Sequence, residues 1–475
     1  MEIIPENSPP RRDRETLVAF LGYCQKRAIA RGRPQIASIC LRVGHISPLA
    51  VLQSIFNPRE AHFYMENPGE AEAVAGAEAI WQETFTGKSR FADAQVAMES
   101  AMEDIICIGD LDHKAAGPRF FFFHTFQDDP EPGSNFAPGT LFLPRWQVVA
   151  HGSDYFAVAN LPVTPDSPLE PIAEKILAAH RKFQVYDYPD PQPESPGIEI
   201  LEKTEPQDDF EANVDIALEG IRKGKYEKLV LSRAIDIRLS AEGKPLDWLN
   251  RLREKYRECF SFSVSAGNGE SFIGLSPELL LHYGEHSLRT EALAGSAPRG
   301  KSAGADARLA GELLASVKDL HEHHLVTASI IRRLGQLGFK AESQPRPGLR
   351  VLPNVQHLLS RIVAKRADSK SFWQTLRALH PTPAVGGTPR ENVMAEIARL
   401  ETHPRGLYAG TLGWVMPDGQ GQAIVAIRSA LVEKDQVRLY AGAGIVEGSK
   451  PELEKRETDL KFGVMLEALG GEAHF

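Results

Sequence analysis

Strand-like and helix-like segments alternate along the second half of the chain, and this alternation constrains the fold more than any other feature. Residues 228–239 and 437–441 are rich in apolar and β-branched residues, which is typical of buried strands. Between them, residues 307–334 repeat apolar side chains every three to five positions, which predicts one long amphipathic helix. Such alternation predicts an α/β (α+β) fold with a layered β-sheet core flanked by helices.

A proline-rich stretch separates this part from the rest of the chain. Residues 184–210 contain five prolines among acidic residues, a composition that breaks helices and forms extended connections. We therefore predict a variable N-terminal region of residues 1–205, which contributes strands and helices to the same fold, and a catalytic region of residues 206–470.

The N-terminal region has its own pattern of elements. Residues 120–126 and 139–149 have the apolar content of buried strands. Residues 71–83 and 168–183 show helical spacing of their apolar side chains. The sequence therefore predicts two strands and two helices in these places.

The composition excludes several classes of protein. The chain has 475 residues and a net charge of −9, whereas a protein that coats duplex nucleic acid needs a clustered basic face. No apolar stretch approaches the roughly 20 residues of a membrane span, and the first residues lack the order of a secretion signal. We expect a cytoplasmic protein that binds neither nucleic acid nor membrane. The cysteines show no paired or metal-ligand spacing: Cys24, Cys40, Cys107 and Cys259.

Two predicted helices carry carboxylates on one face. Asp319 and Glu322 lie three positions apart, and Glu454, Glu457 and Lys461 lie at positions i, i+3 and i+7 of the last helix. Mg²⁺ prefers a few carboxylate oxygens together with water and substrate oxygens, so two such faces indicate a site for a hard cation. The alternative is that the carboxylates are solvated and that Glu457 and Lys461 form an exposed ion pair.

The last helix has a defined start in the sequence. Ser449 is placed to cap the first free amides, and Pro451 is tolerated in the first turn. Glu452 lies three positions after Ser449, which is the spacing of a capping box.

Two familiar motifs are excluded by their spacing. A zinc protease helix needs a second histidine four residues after His321, and Leu325 stands there. Gly442, Gly444 and Gly448 are spaced one residue too widely for a dinucleotide-binding loop. These glycines still permit a tight turn or a close approach of the backbone to an anion.

Four motifs in the last third of the chain resemble the chorismate-utilising enzymes. They are LHPTPAVGGT at residues 379–388, AIRSA at 426–430, YAGAGIV at 440–446 and EKRETDLK at 454–461. The resemblance extends over about residues 228–466, and its details are most similar to the isochorismate synthases. It implies a chorismate-binding fold and the reversible conversion of chorismate to isochorismate.

The resemblance implies an acid–base pair on either side of the substrate ring. Lys228 is implied as the general base that activates water for attack at C2. Glu278, which follows a Ser-Pro turn, is implied as the general acid that protonates the departing C4 hydroxyl. Base action needs a neutral amine and acid action needs a protonated carboxyl, so we expect both side chains to be buried.

The resemblance also implies Mg²⁺ as the cofactor. Glu322 and Glu457 are implied as direct ligands, while Asp319 and Glu454 would act through coordinated water. The metal would hold the ring carboxylate of the substrate and offset its charge.

The remaining implied residues contact the substrate. Arg428 suits a planar, two-point grip on a carboxylate. His380 is either a residue that orients the substrate or a buried structural histidine. The other implied contacts are Gly295, Ser296, Tyr440, Gly442 and Lys461.

Single positions distinguish this chain from sister activities. Ala294 stands where relatives that form a covalent adduct carry a lysine, so the nucleophile is water or ammonia. Lys228 stands where anthranilate synthases typically carry glutamine, which favours water. The chain differs from the common pattern at Lys455, where tryptophan is frequent, and at the Thr388-Pro-Arg run. A salicylate synthase and an ammonia-dependent anthranilate synthase component I remain the alternatives.

The same resemblance leads to expectations about partners. The small molecule chorismate is the expected substrate, no glutaminase subunit is required, and the chain is expected to be a monomer. The product could feed quinone or siderophore synthesis, and the sequence does not distinguish the two. The alternative from another class is a protein that only binds a metabolite or a partner.

Overall fold

A computed structural model describes residues 1–4, 14–185, 198–205, 209–366 and 370–470. Most of the proline-rich stretch lies outside these residues. The division of the chain at residue 205 therefore stays a prediction.

The strands of the described chain fall into two groups along the sequence. Before residue 206 they are β1 (Glu2–Ile3), β2 (Gln35–Val43), β3 (Ala61–Asn67), β4 (Glu72–Phe85), β5 (Ile105–Gly109), β6 (Phe120–His124), β7 (Gly139–His151), β8 (Asp154–Val163) and β9 (Ile200–Thr204). After it they are β10 (Lys228–Leu239), β11 (Phe260–Ala266), β12 (Glu270–Ser276), β13 (Leu279–Tyr283), β14 (Ser287–Pro298), β15 (Glu342–Ser343), β16 (Gly348–Val351), β17 (Val355–Lys365), β18 (Gly387–Thr388), β19 (Thr411–Val415), β20 (Gly421–Val425), β21 (Ser429–Glu433) and β22 (Gln436–Ile445).

The helices alternate with these strands. They are α1 (Arg14–Arg31), α2 (Pro48–Ser54), α3 (Arg90–Met102), α4 (Leu169–Val185), α5 (Phe210–Arg222), α6 (Pro245–Lys255), α7 (Ala303–Ala315), α8 (Val317–Gln336), α9 (Phe372–Leu379), α10 (Arg390–Leu400) and α11 (Pro451–Ala468), with a 3₁₀ turn at Pro68–Glu70. Among the helices that the structure describes, none is both long and apolar enough to cross a membrane.

Hydrogen bonds join the strands into two long runs. The first run follows the order β5-β2-β8-β7-β4-β3-β11-β12-β21-β22-β10-β9. The second follows β6-β19-β20-β13-β14-β17. Strand β7 pairs with β6 as well as with β4 and β8, so it connects the two runs. This extensive pairing, with helices packed against it, confirms the predicted mixed fold.

The N-terminal strands take part in the core of the protein. Strand β3 pairs with β11, and β6 pairs with β19, so both runs contain strands from before and after the proline-rich stretch. The four phenylalanines at 120–123 are fully buried in the largest apolar cluster. Phe121 stacks on Phe63 with a ring distance of 4.5 Å. Such burial removes large apolar surfaces from water and stabilises the junction between the two runs.

Most predicted elements are present in the structure. Residues 120–126 and 139–149 form β6 and β7, and residues 228–239 and 437–441 form β10 and β22. Residues 168–183 form α4. These five predictions are confirmed.

The helix predicted at residues 71–83 is wrong, because the segment forms strand β4. Alanine favours helices intrinsically, but β4 pairs with β3 on one side and β7 on the other, and tertiary pairing outweighs the propensity. The missed signal is Gly76. A Cβ there would lie 2.3 Å from the ring of Phe121, so the small residues of β4 make room for the phenylalanines of β6.

The single helix predicted for residues 307–334 is also wrong, because the segment contains two helices, α7 and α8. Ser316 has an extended backbone (φ −69°, ψ 116°), ends α7 and caps α8 by accepting a bond from the amide of Asp319. A serine three positions before an acid is a helix start signal that apolar periodicity does not show. The break matters because α8 carries Asp319 and Glu322.

The predicted Ser449 cap of the last helix and its capping box with Glu452 are both wrong. Lys450 is the N-cap of α11, without a side-chain cap bond. The hydroxyl of Ser449 instead accepts a bond of 3.3 Å from the amide of Val446. Pro451 occupies the first turn as predicted.

Candidate active site

A cleft with about 640 Å³ of space free of protein atoms collects most of the predicted residues. Its walls come from β10, β14, β17, β22, α8, α11 and the turns that follow β12 and β20. The predicted residues in its lining are Glu278, Gly295, Ser296, Glu322, Arg428, Tyr440, Gly442, Glu457 and Lys461.

Lys228 lies behind this lining in an ion pair. The side chain is 0% exposed, and its Nζ lies 2.8 Å from Oε1 of Glu322 on α8. Gly444 on β22 leaves room for both groups. A Cβ at this position would stand 2.3 Å from the same Glu322 oxygen and 2.9 Å from Cε of Lys228. Because a buried ammonium needs a partner, the close approach of β22, α8 and β10 is required at this point.

Glu278 lies in the turn between β12 and β13. It is 2% exposed, and the hydroxyl of Thr382 donates to its Oε1 at 3.5 Å. Burial raises the pKa of Glu278 to about 8, although the nearby charge of Lys228 counteracts this. The carboxyl therefore keeps its proton near neutral pH, which agrees with the expectation for a general acid.

A β-bulge brings two further residues together. The register of β14 against β17 shifts at Gly295 (φ +78°), so that Ser296 comes opposite His357. The imidazole Nδ1 lies 2.9 Å from the Ser296 hydroxyl, and the guanidinium of Arg428 donates to Nε2 at 2.6 Å. Because a guanidinium only donates, Nδ1 carries the ring hydrogen. Burial and the charge of Arg428 hold the pKa of His357 well below its usual range, so this ring is neutral.

Arg428 is held in an unusual backbone conformation. Its φ is +53°, in the left-handed region that non-glycine residues rarely adopt, and its carbonyl accepts a 3.0 Å bond from the amide of Leu275. The side chain is buried and lines the cleft. Burial lowers the pKa of the guanidinium, but the group stays charged at neutral pH. A buried cation in a ligand-sized cleft is suited to an anionic ligand.

Lys461 and Glu457 occupy the α11 side of the cleft. The Lys461 ammonium donates to Oε1 of Glu457 and to the carbonyl of Gly442, both at 2.7 Å. Burial opposes the charged form of Glu457, but Lys461 outweighs it and lowers the pKa of that carboxyl. Across the cleft, the rings of Tyr408 and Tyr440 stack at 5.2 Å. The predicted Glu457–Lys461 ion pair is therefore present, but it faces the cleft and not bulk solvent.

Asp319 and Glu454 lie outside the lining of the cleft. The Ser316 hydroxyl donates to Asp319, and Lys318 donates to Glu454 at 2.7 Å. Burial raises the pKa of both carboxyls, and the charge of Glu457 adds to this effect in each case. The charge of Glu457 therefore acts on both side chains, although each bonds to a different neighbour.

The four acids have the donor chemistry of an Mg²⁺ site but do not form a closed ligand cluster. In the part of the chain that the structure describes, no three His, Cys, Asp or Glu side chains are grouped to hold a metal ion. Lys228, Lys318 and Lys461 instead pair with the carboxylates of α8 and α11. All donors are hard oxygens, and the charge of Glu457 adds to burial in raising the pKa of Asp319 and Glu454. This chemistry fits a hard divalent cation.

His380 lies outside the cleft. It follows α9, and its ring packs 5.8 Å from that of Phe91 in a separate depression that Arg390 also lines. Burial lowers its pKa well below the usual range, so the ring is neutral. Of the two interpretations of His380, this position favours the buried structural histidine.

Sequence reasoning missed several residues of the cleft. His357 lies within a buried strand, where a buried polar side chain signals a specific contact. Thr382 and Val385 belong to the quoted run at residues 379–388, but no role was derived for them. Tyr408 gives no signal in the sequence, because only the fold brings it against Tyr440.

Comparisons with known proteins point to one family. A family model described as chorismate binding enzyme matches residues 23–470. The chain is 31% identical over 418 residues to isochorismate synthase MenF of Bacillus subtilis, covering 86% of this chain and 88% of that protein. It is 32% identical over 443 residues to the salicylate biosynthesis isochorismate synthase of Pseudomonas aeruginosa, covering 93% and 92%.

A solved structure shows the same fold. The menaquinone-specific isochorismate synthase MenF of Escherichia coli superimposes with a TM-score of 0.75 at 26% identity. The match covers 94% of this chain and 99% of that one. Strands from both parts of the present chain are therefore included in the common fold.

The raised pKa of Glu278 makes stability depend on pH. Because the pKa rises from 4.5 to about 8 on folding, the stability that protonated Glu278 allows is complete below about pH 4.5 and is lost as pH rises through about 8. We expect Glu278→Gln, which cannot ionise, to gain a few kcal/mol relative to the unmodified protein between pH 5 and pH 8. Thermal unfolding across this range measures the gain.

The control is Glu467→Gln, which removes an exposed carboxylate of α11. It should show no such gain. A difference between Glu278→Gln and the unmodified protein that stays constant from pH 5 to pH 8 would contradict a buried, protonated Glu278.

Proposed function

The chain belongs to the chorismate-binding enzymes, and we propose that it is an Mg²⁺-dependent isochorismate synthase that converts chorismate reversibly to isochorismate. The observation that carries this proposal is the arrangement of one buried lysine and one buried, protonated carboxyl around a single cleft. Glu278 lines the cleft directly, whereas Lys228 lies behind Gly444, which lines it. Relatives with this activity at 31% and 32% identity support the same conclusion.

The acid and the base divide the proton transfers of the reaction. Lys228 takes a proton from the water that attacks C2 of the ring. Glu278 gives its proton to the C4 hydroxyl, which leaves as water while the ring double bonds shift. One water enters and one leaves, so the substrate and product are isomers. The pKa of about 8 for Glu278 keeps the required proton in place at neutral pH.

The cationic side chains fit a substrate with two carboxylates. Arg428 presents a planar guanidinium. The neutral ring of His357 accepts a 2.6 Å hydrogen bond from it and so fixes its orientation. Lys461 supplies a second positive charge on the α11 side of the cleft. We assign the side-chain carboxylate to Arg428, and the ring carboxylate to the region of Glu322, Glu457 and Lys461.

We further propose that Glu322 and Glu457 hold Mg²⁺ directly, with Asp319 and Glu454 acting through water. The ion would offset the charge of these carboxylates and of the ring carboxylate. Base action by Lys228 needs the neutral amine, whereas the Glu322 carboxylate at 2.8 Å attracts the charged ammonium. Glu322 must therefore be engaged by another cation while Lys228 acts as a base.

Two positions, Ala294 and Lys228, distinguish this proposal from sister reactions that use another nucleophile. Ala294 lines the cleft and cannot form a covalent adduct with the ring, so a soluble nucleophile is required. Water needs a base that takes its proton, and the buried amine of Lys228 would supply it, whereas ammonia needs no such base. These two positions favour water addition over an anthranilate synthase reaction, and we propose that the chain works without a glutaminase subunit.

We also propose that the enzyme is a cytoplasmic monomer. All four cysteines are free and buried, which fits a reducing compartment. Size-exclusion chromatography with light scattering tests the monomer, and a stable dimer would contradict it.

Product analysis tests the proposed function. The purified protein is incubated with chorismate and Mg²⁺, with and without an ammonium salt, and the products are separated by chromatography. We expect isochorismate without ammonium and its loss with a chelator. Anthranilate that needs ammonium, or salicylate with release of pyruvate, would identify a sister activity. Absence of any product would favour a protein that only binds a metabolite.

Lys228→Gln tests the base. We expect isochorismate formation to fall by about 10³-fold or more, because glutamine cannot accept the proton of water. Binding of chorismate, measured by calorimetry, should remain, since Lys228 lies behind the lining of the cleft. The matched control is Lys223→Gln at the exposed end of α5. A Lys228→Gln variant that keeps most of the rate would contradict the assignment.

A further inference from the structure

A second cavity lies beside the turn that carries Glu278. It contains about 1380 Å³ of space free of protein atoms and is partly open to solvent. Leu279, the neighbour of Glu278, lines this cavity, as do Glu291 on β14 and Arg350 on β16. The wall between the cavity and the active-site cleft therefore contains the proposed general acid.

Arg350 connects Glu291 to the turn of the acid. Its Nη2 donates to Oε1 of Glu291 at 2.8 Å, and its Nη1 donates to the carbonyl of Pro277 at 3.2 Å. Pro277 directly precedes Glu278 in the chain. One guanidinium thus bonds both to a buried carboxylate and to the peptide that fixes where Glu278 emerges.

Glu291 is only partly satisfied by this pair. The residue is 8% exposed, and its Oε2 is buried without a hydrogen-bond partner among the described residues. A buried carboxylate oxygen without a donor projects its negative charge onto nearby groups. Glu278 is such a group, and the charge of Glu291 acts to raise its pKa.

We propose that the Glu291–Arg350 ion pair is a positioning pair for Glu278, in which Arg350 holds the turn and Glu291 sets the charge around the acid. Neither Glu291 nor Arg350 lines the cleft, and Arg350 meets the lining only at the carbonyl of Pro277. Its effect on the reaction passes through Glu278, so the proposal rests on the proposed function of that residue.

The charges around Glu278 oppose one another. Lys228 from β10 and Lys461 from α11 favour its ionised form, as does the hydroxyl of Thr382. Glu291 from β14 favours its protonated form, together with burial. Two ammonium groups on the cleft side are therefore offset by one carboxylate on the cavity side, and Arg350 moderates that carboxylate.

Because Glu291 and Arg350 carry opposite charges, removing each charge should shift the titration midpoint of Glu278 in opposite directions. Infrared spectroscopy follows the carbonyl band of a protonated, buried carboxyl, which is assigned to Glu278 by its loss in Glu278→Gln. In the unmodified protein the band should titrate with a midpoint near pH 8. In Glu291→Gln, the loss of a negative charge should lower the midpoint by about one pH unit.

Arg350→Gln should move the midpoint in the other direction, because it leaves the charge of Glu291 without its partner. The double variant should return close to the unmodified midpoint. Arg350→Lys keeps the positive charge and tests the role of Arg350 if Arg350→Gln does not fold. The midpoint of Arg350→Lys should match that of the unmodified protein. Its turnover number should fall, since a lysine cannot bond to Glu291 and the Pro277 carbonyl in the same geometry.

The matched control is Asp306→Asn, which breaks the two-bond Arg299–Asp306 pair at the start of α7. It should leave the midpoint unchanged. Midpoints that do not move, or that move in the same direction in Glu291→Gln and Arg350→Gln, would overturn the proposal while leaving isochorismate formation intact. If the midpoints move as expected but the unmodified protein forms no isochorismate, the proposed function fails instead.

Discussion

The buried ion pair between Lys228 and Glu322 is the interaction on which the rest of the site depends. Removing an ammonium and a carboxylate from water costs several kcal/mol for each ion unless they are paired at close range. The 2.8 Å contact meets this requirement only because β10, β22 and α8 converge at one point. Gly444 permits that convergence, since any side chain there would collide with Glu322. The proposed catalytic lysine, a candidate metal ligand and a strand glycine are thus fixed by one constraint.

The charged side chains are distributed unequally on the two sides of the cleft. On the α8 and α11 side, three lysines pair with Glu322, Glu454 and Glu457 at short range, and the Ser316 hydroxyl donates to Asp319. On the other side, burial raises the pKa of Glu278, which retains its proton against the charges of Lys228 and Lys461. Between them, Arg428, His357 and Ser296 form a chain of hydrogen bonds that leads from a buried guanidinium towards the acids of α11. A rigid network of this kind orients the cationic groups before a ligand binds.

Much of the fold was predictable because buried strands and amphipathic helices leave a periodic pattern in the sequence. The failures have specific physical causes. In residues 71–83 the helix propensity of alanine was outweighed by pairing on both edges of β4. At Ser316 a single capped turn divided a continuous apolar stripe. Motifs located the cleft residues, but its ion pairs and the position of His380 depend on distances between elements that are remote in sequence.

The central claim is that Lys228 and Glu278 act on two different oxygen atoms, one that enters and one that leaves. The most direct measurement is to run the reaction in water enriched in oxygen-18 and to analyse the product by mass spectrometry. Water addition predicts isochorismate that carries one solvent oxygen, located in its C2 hydroxyl. Isochorismate without the label would contradict the account, because the hydroxyl would then have moved within the substrate and no water would have been activated by Lys228.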